Sequence, residues 1–334
     1  MPRWWTSAKK GLVLGIAGFV IILNITKWHP ESEKLNKSLE HSMNYFNQST
    51  SYKYIIMPDL SLCDGSRQNT PLIVATVLSR VDRFENRQAI RDSWASAQHS
   101  LSVKTGRVVT YFLLSEPNSI HDFLMVRKEQ KKHNDLIVTS LTESYQNLVY
   151  KVYASIVFHQ QYCPLASFLM KIDDDVGIHI DRMLNLWNID KNASMSLYGH
   201  LIENVLPIRD PNSKWFVSEH VWPNQHFPTY CAGSTYLMGR SAGRAILDEA
   251  RNFPPFEIED LFYTGILAES VGIRRINWAT HLVFQPTEFF NGSFKCNASQ
   301  RPTLFAVHSF ETPDEMRRGC QILETDQCRY PERS

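Results

Sequence analysis

Ser167 to Asp175 read Ser-Phe-Leu-Met-Lys-Ile-Asp-Asp-Asp, a short apolar run that ends in three consecutive carboxylates. An apolar run of this length, Ser167 to Ile172, reads as a strand buried on both faces. Three similar runs precede it: Pro71 to Leu78, Arg107 to Leu114, and the shorter Asp135 to Val138. Helical patterns lie between them. Phe84 to Ala97 carries Arg87, Arg91 and Trp94, and Ile120, Phe123 and Leu124 recur at helical spacing in Ile120 to Lys132. Tyr145, Leu148, Val149, Val152, Tyr153, Ile156 and Val157 form the clearest helical stripe. Strands alternating with helices predict an α/β fold: a mostly parallel, Rossmann-like sheet with helices on both faces. After Tyr198 the pattern is less regular, and mixed strands are expected there.

The three acids stand at the carboxyl end of a strand, where open α/β sheets bind ligands. If the strand continues through them, Lys171, Asp173 and Asp175 share one face. Crowded carboxylates repel, and a hard divalent cation offsets them through oxygen ligands. One or two carboxylates plus substrate phosphates is the usual magnesium or manganese arrangement. A solvated acidic turn is the plainer reading of any acidic triplet, but the position after Phe-Leu-Met-Lys-Ile favours the ligand reading. The chain has no Gly-x-x-x-x-Gly-Lys-Ser/Thr loop and no Gly-x-Gly-x-x-Gly turn, which argues against a P-loop enzyme and a dinucleotide dehydrogenase. It also lacks His-Glu-x-x-His, the zinc-protease helix motif.

Composition narrows the class further. Of 334 residues, 43% are hydrophobic, enough for a large core. Lys and Arg number 35 against 34 Asp and Glu, a net charge of +1, so nothing in the global field attracts nucleic acid.

The N-terminus sets the compartment. Gly11 to Ile25 is nearly all apolar, preceded by Arg3, Lys9 and Lys10, with Trp4, Trp5 and Trp28 near its ends. The exit from Asn24 to Pro30 lacks the small-residue pattern of a cleavage site, which favours a signal-anchor over a cleaved signal peptide. Residues 1–10 are then a cytoplasmic tail, 11–26 the membrane helix, 27–57 a polar stem and 58–334 a single lumenal domain. Six cysteines (Cys63, Cys163, Cys231, Cys296, Cys320 and Cys328) suit an oxidising lumen, and none forms the Cys-x-x-Cys of a zinc site. The disulfides expected are Cys63–Cys163 and Cys231–Cys296. Candidate glycosylation sequons begin at Asn36, Asn47, Asn192, Asn291 and Asn297.

Several segments together resemble the β-1,3-galactosyltransferase and β-1,3-N-acetylglucosaminyltransferase family, glycosyltransferase family 31, over roughly Pro58 to Arg318. Arg87-Gln-Ala-Ile-Arg91-Asp-Ser-Trp94 is similar to that family's Arg-x-x-Ile-Arg-x-Thr-Trp. Glu143-Ser-Tyr145-Gln-Asn147-Leu148, Lys171 to Val176, Pro228-Thr-Tyr230-Cys231-Ala-Gly233 and Glu259-Asp260-Leu261 follow in the family's order. Gly177 stands where the family usually has an aromatic residue, and Thr235 replaces a glycine.

The resemblance implies a nucleotide-diphospho-sugar transferase fold of the GT-A type and a Golgi-resident, single-pass type II enzyme. It implies inverting transfer of a hexose, galactose first, from a UDP-sugar to a glycan acceptor on a glycoprotein or glycolipid, forming a β-1,3 linkage. N-acetylglucosaminyl or N-acetylgalactosaminyl transfer and a non-catalytic lumenal scaffold are the alternatives. The family match gives Asp260 as general base with Glu259 next, and Mn2+ or Mg2+ held by Asp173 and Asp175 with His308 as third ligand. It gives Arg87, Arg91, Lys171, Asp173 and Asp174 as donor contacts. Taken without the family, Asp260 reads as an acid at a helix N-terminus, and His308 as a satisfied core histidine.

Overall fold

The β3 strand, Ile73–Leu78, is buried at every position and lies at the centre of the molecule. In this computed structural model, residues 40–63, 70–186, 192–291, 296–297 and 302–325 are described. On one side β3 pairs in parallel with β4 (Val108–Leu114), and β4 with β5 (Leu136–Thr139). On its other side it pairs in parallel with β6, Phe168–Asp173. The chain therefore reverses its direction of travel across the sheet at β3, and a crevice opens between the carboxyl ends of β3 and β6. The expected parallel core is borne out, with the acidic triplet at its edge.

Antiparallel strands flank that core. β6 pairs with β9 (Tyr230–Gly239), β9 with β8 (Ser196–Ile202), and β8 carries β10 (Arg274–Asn277) in parallel. The full order is β1-β2-β5-β4-β3-β6-β9-β8-β10. A small second sheet joins β7 (Gly177–Ile178), β11 (Leu282–Val283) and β12 (Ala306–Val307). Two apolar cores fill the two faces of the large sheet. One gathers Val149, Ile156 and Phe158 from a helix at Leu148–Tyr162, with Ala242 and Ile246 from another at Arg240–Glu249. The other gathers Ala89 and Ile90 from Phe84–Asp92, and Met316, Cys320 and Leu323 from Pro313–Leu323. Helices thus cover both faces, as the alternation in the sequence requires.

The stem boundary is corrected. Residues 40–56, read as polar stem, form β1 (Glu40–Tyr45) and β2 (Gln48–Ile56), a hairpin that extends the large sheet. Asn47 adopts a left-handed backbone, φ 54°, in the turn between them. Met43, Tyr45, Tyr52, Tyr54 and Ile56 are buried, and alternation puts polar partners on the outer face. Burial of so many phenols works because their hydroxyls are bonded. The Tyr54 hydroxyl donates to Ala154 O at 2.6 Å, and those of Tyr45 and Tyr263 lie 2.9 Å apart. Tyr263 also donates to Val149 O at 2.6 Å.

The expected tail and anchor, Asn36 and Cys328 lie outside the described residues. Among those described, no helix is long and apolar enough to cross a membrane. Asn47, Asn192, Asn291 and Asn297 are exposed. Cys63 and Cys163 are disulfide-bonded, as expected. The pair Cys231–Cys296 is corrected: Cys231 is a free, buried thiol packed against Gly199 between β8 and β9, and Cys296 is disulfide-bonded elsewhere. Cys320 is also free and buried.

Cys63–Cys163 closes a loop of 100 residues that spans β3, β4 and β5. Replacing both cysteines by alanine should lower stability by roughly 2–5 kcal/mol, checked by urea unfolding. Alkylation of the denatured, unreduced protein should label Cys231 and Cys320 but not Cys63 or Cys163.

Candidate active site

The site grows from the end of β6. Lys171 and Asp173 alternate onto one face of the strand, and the Lys171 ammonium lies 2.8 Å from Asp173 Oδ1 and 3.0 Å from Glu259 Oε1. It also donates to the Gly233 carbonyl. Burial alone would discharge this lysine, but Asp173 and Glu259 outweigh it and hold the cation well above its ordinary range. Burial pushes the Glu259 carboxyl up to about 7, opposed by Lys171 and reinforced by Asp260 and Asp173. Its Oε2 is buried with no hydrogen-bond partner among the described residues.

Asp260 follows at the mouth of a wide helix, Leu261–Leu267, whose bonds reach one residue further than in an α-helix. Such segments recur at functional sites. Its Oδ1 accepts from Leu261 N at 2.9 Å, so the capping reading of this acid holds alongside any chemical one. Burial raises its carboxyl, against Lys171 and the backbone N–H groups of Leu261 and Gly233. A Cβ at Gly233 would stand 3.1 Å from Asp260 Oδ2 and 3.3 Å from Glu259 Oε1. Glycine is therefore what lets β9 approach both carboxylates.

The strand stops at Asp173, so Asp175 does not share its face by alternation. A turn carries Asp175 back instead, fixed by Phe310 N donating to Asp175 O at 3.0 Å. Ligand atoms of Asp173, Asp175 and His308 all lie within 4.8 Å of one another. Asp175 Oδ1 is buried without a hydrogen-bond partner, 3.4 Å from His308 Nε2, and burial with Asp173 pushes this carboxyl up to about 6. Burial lowers the His308 pKa, which favours the neutral, ligating imidazole. Two carboxylates and one neutral imidazole, with an orphaned buried oxygen among them, fit Mn2+ or Mg2+.

Asp174 points elsewhere. Its Oδ2 accepts from Ser79 Oγ at 2.6 Å across the crevice, and Arg83 pairs with Oδ1 at 3.4 Å. Burial pushes it up to about 6, against these two partners. The reading of Arg87 and Arg91 as donor contacts is corrected. Arg87 is fully buried, gripping Glu129 at 2.8 and 2.7 Å and Ser79 Oγ at 3.1 Å. Arg91 binds Asp135 at 2.7 and 2.9 Å and Glu129 at 2.7 Å. The side of the helix they share faces inward. Trp94 is core, and its indole N–H donates to Val176 O at 3.1 Å, behind the acids. Gly177 has a packing reason, since a Cβ there would lie 2.7 Å from the Phe310 ring.

Lys171, Asp173, Gly233, Glu259 and Asp260 floor a cleft of about 300 Å3. Tyr145, Leu206, Ile208, Trp215 and Tyr230 wall it. Except for Tyr145 and Tyr230, these walls carry no signal in the sequence, because they come from an irregular segment. A larger hollow of about 450 Å3 beside Ala95, Val103 and Phe112 contains one carboxylate, Asp135, already paired with Arg91. Gly239 to Gly243 also spells Gly-Arg-Ser-Ala-Gly, the pattern of a hydrolase nucleophile turn. Ser241 Oγ, however, pairs with Ser194 Oγ at 2.7 Å, and no imidazole is bonded to it among the described residues.

Glu259 gives a pH signature. Its folded pKa of about 7 lies above the ordinary glutamate value of 4.5, so the folded state binds the proton more tightly. Its stability contribution is full below about pH 4.5 and lost as pH rises through 7. Glu259→Gln mimics the protonated form. Relative to the parent, it should gain on the order of 3 kcal/mol between pH 4.5 and 8, read from paired unfolding curves. No change in the difference would show that the carboxyl is not held this way.

Residues 85–279 match the family model described as Galactosyltransferase. The chain is 31% identical over 290 residues to beta-1,3-galactosyltransferase 5 of Pan paniscus, covering 85% of this chain and 91% of the relative. It is 29% identical over 247 residues to beta-1,3-galactosyltransferase 4 of Rattus norvegicus, covering 66% and 65%. Beta-1,3-galactosyltransferase 1 of Mus musculus is 25% identical over 252 residues, covering 75% and 73%. With the family's matched region spanning β4 to β10 and enclosing the whole acidic floor except His308, the chain belongs to the galactosyltransferase family and is a glycosyltransferase.

Proposed function

We propose that this protein transfers galactose from UDP-galactose to a hydroxyl of a glycan acceptor, with inversion, forming a β-1,3 linkage. The observation that carries the reading is the division of the acidic floor by Lys171. On one side stand Asp173, Asp175 and His308, a metal-ligand set. On the other stand the buried Glu259 and the partly buried Asp260, carboxylates whose proton affinity is raised. A single displacement needs both halves: charge compensation at the departing diphosphate and a base at the incoming hydroxyl.

Asp173, Asp175 and His308 would hold a manganese or magnesium ion, which would supply charge compensation for the departing UDP. The chain's own residues do the rest. Lys171 holds Asp173 toward the donor and keeps Glu259 in place. Asp260 takes the acceptor proton as the new bond forms from that oxygen to the anomeric carbon and the bond from that carbon to the diphosphate breaks. A raised proton affinity suits a base at near-neutral pH. We further propose a type II topology in the Golgi membrane with a lumenal catalytic domain. Support comes from the apolar N-terminal run behind basic residues, the Cys63–Cys163 bond and the exposed sequons.

The test is transfer by the full chain, in detergent, from UDP-galactose, UDP-N-acetylglucosamine and UDP-N-acetylgalactosamine, with manganese and with chelator. Galactose transfer lost on chelation is the expected result, and absence of transfer from all three donors overturns the reading. Asp260→Asn should retain UDP and manganese binding while transfer falls by roughly 10²–10⁴. Asp175→Asn should lose manganese binding itself. If Asp260→Asn stays active while Glu259→Gln is dead, the base is Glu259.

A further inference from the structure

The floor of the cleft is polar, but its walls are not. Between β8 and β9 runs an irregular segment, residues 203–229, of a length that in compact domains marks binding loops. It has its own small core, Val217 and Phe227 packed with Leu261. Arg209 stitches it further, donating to Val217 O at 2.7 Å and Trp222 O at 2.8 Å. Although held in this way, the segment leaves Trp215 46% exposed at the cleft. Leu206 and Ile208 are exposed beside it. A fixed loop that turns large apolar side chains toward a cleft is the mark of a ligand surface.

The indole does not stand alone. Lys214 Nζ lies 4.2 Å from the Trp215 ring centre and 6.0 Å from that of Tyr145. Tyr145 is itself bonded to Trp215 and feels the charges of Asp260 and Glu259. Indole, phenol and ammonium therefore lie together in the wall of the cleft that Glu259 and Asp260 floor.

We infer that Trp215, braced by Lys214 and Tyr145, is the platform for the acceptor sugar. The ligand is a neutral β-pyranoside whose C–H face lies on the indole and whose hydroxyl edge turns to Asp260. This rests on the transfer reading and narrows it to an acceptor that ends in a sugar ring. The electron-rich face of an aromatic ring attracts the polarised C–H groups gathered on one side of such a sugar. The carboxylates below supply the polar contacts that fix orientation. A nucleobase would also stack on an indole, and the UDP affinity of the Trp215 variant separates the two.

The experiment measures binding and transfer separately, on the full chain in a detergent without a sugar headgroup. Saturation-transfer NMR with methyl β-galactopyranoside and methyl β-N-acetylglucosaminide should show one of them saturated most strongly at its C–H face. Trp215→Ala should abolish that signal and raise the acceptor KM about tenfold, with UDP affinity unchanged. Trp215→Phe should recover part of both effects, which a misfolded variant could not do. Val221→Ala, exposed on the same segment outside the cleft, should change neither. Equal saturation and KM in the parent and Trp215→Ala, no saturation of either glycoside, or a loss of UDP affinity instead, each overturns the platform. Glycoside binding without transfer from any donor leaves the platform standing and sinks the transfer reading.

Discussion

One buried ammonium holds this site together. Lys171 sits where β3, β6 and β9 meet, with Asp173 and Glu259 both at ion-pair distance. Without it, Glu259 would be a buried anion facing the partly exposed carboxylates of Asp173 and Asp260. Removing one partner of such an arrangement ordinarily costs 3–5 kcal/mol. The cation and Asp173 are anchored by their place on a strand paired on both sides, while Asp175 rides on the following turn and Glu259 and Asp260 on the start of a helix. Everything that can do chemistry is arranged around that point.

Behind it lies a second, purely structural layer of charge. Arg87 and Arg91 share Glu129, Arg91 takes Asp135, and Arg87 reaches Ser79, which in turn bonds Asp174. Lys151, buried in the Leu148–Tyr162 helix, holds Ser79 O at 2.7 Å and Glu143 at 2.9 Å. Burial lowers its pKa, and the neighbouring Glu143 carboxylate opposes that shift. The end of β3 is thus gripped from two helices on opposite faces of the sheet. Asp174 ties the acidic turn to that gripped end, which limits where its neighbours Asp173 and Asp175 can point.

The parallel core was legible in the sequence because its strands are buried on both faces and carry unbroken apolar runs. The β1–β2 hairpin was not, because half of its positions face water and its composition reads as polar stem. What betrays it is alternation: Met43 and Tyr45, then Tyr52, Tyr54 and Ile56, at a period of two among polar residues. The acids at 173, 175 and 260 were picked out by the order of the family's motifs; the alternation that would have joined Asp175 to Asp173 fails because the strand ends at Asp173. The roles of Arg87 and Arg91 were not legible, since their partners Glu129 and Asp135 sit 38 to 44 residues away and no local pattern links them. Trp215 was invisible for a related reason: the segment around it has no period, and only its fold onto Leu261 brings it to the cleft.

The same geometry separates two neighbouring carboxylates that sequence alone could only rank. Glu259 has one oxygen on Lys171 and the other buried without a partner, so its charge is already committed to holding the floor. Asp260 has one oxygen on a backbone N–H at the start of the wide helix. That bond fixes the plane of the carboxylate without a counter-ion. Its other oxygen lies beside Gly233, whose backbone N–H also bears on it. A base must be oriented and still have a lone pair to spare. Glu259 keeps an unpartnered oxygen, but the residue is buried, whereas Asp260 is only partly buried at the cleft. The distinction favours Asp260 as the proton acceptor and leaves Glu259 as the counter-charge that keeps Lys171, and with it Asp173, in place.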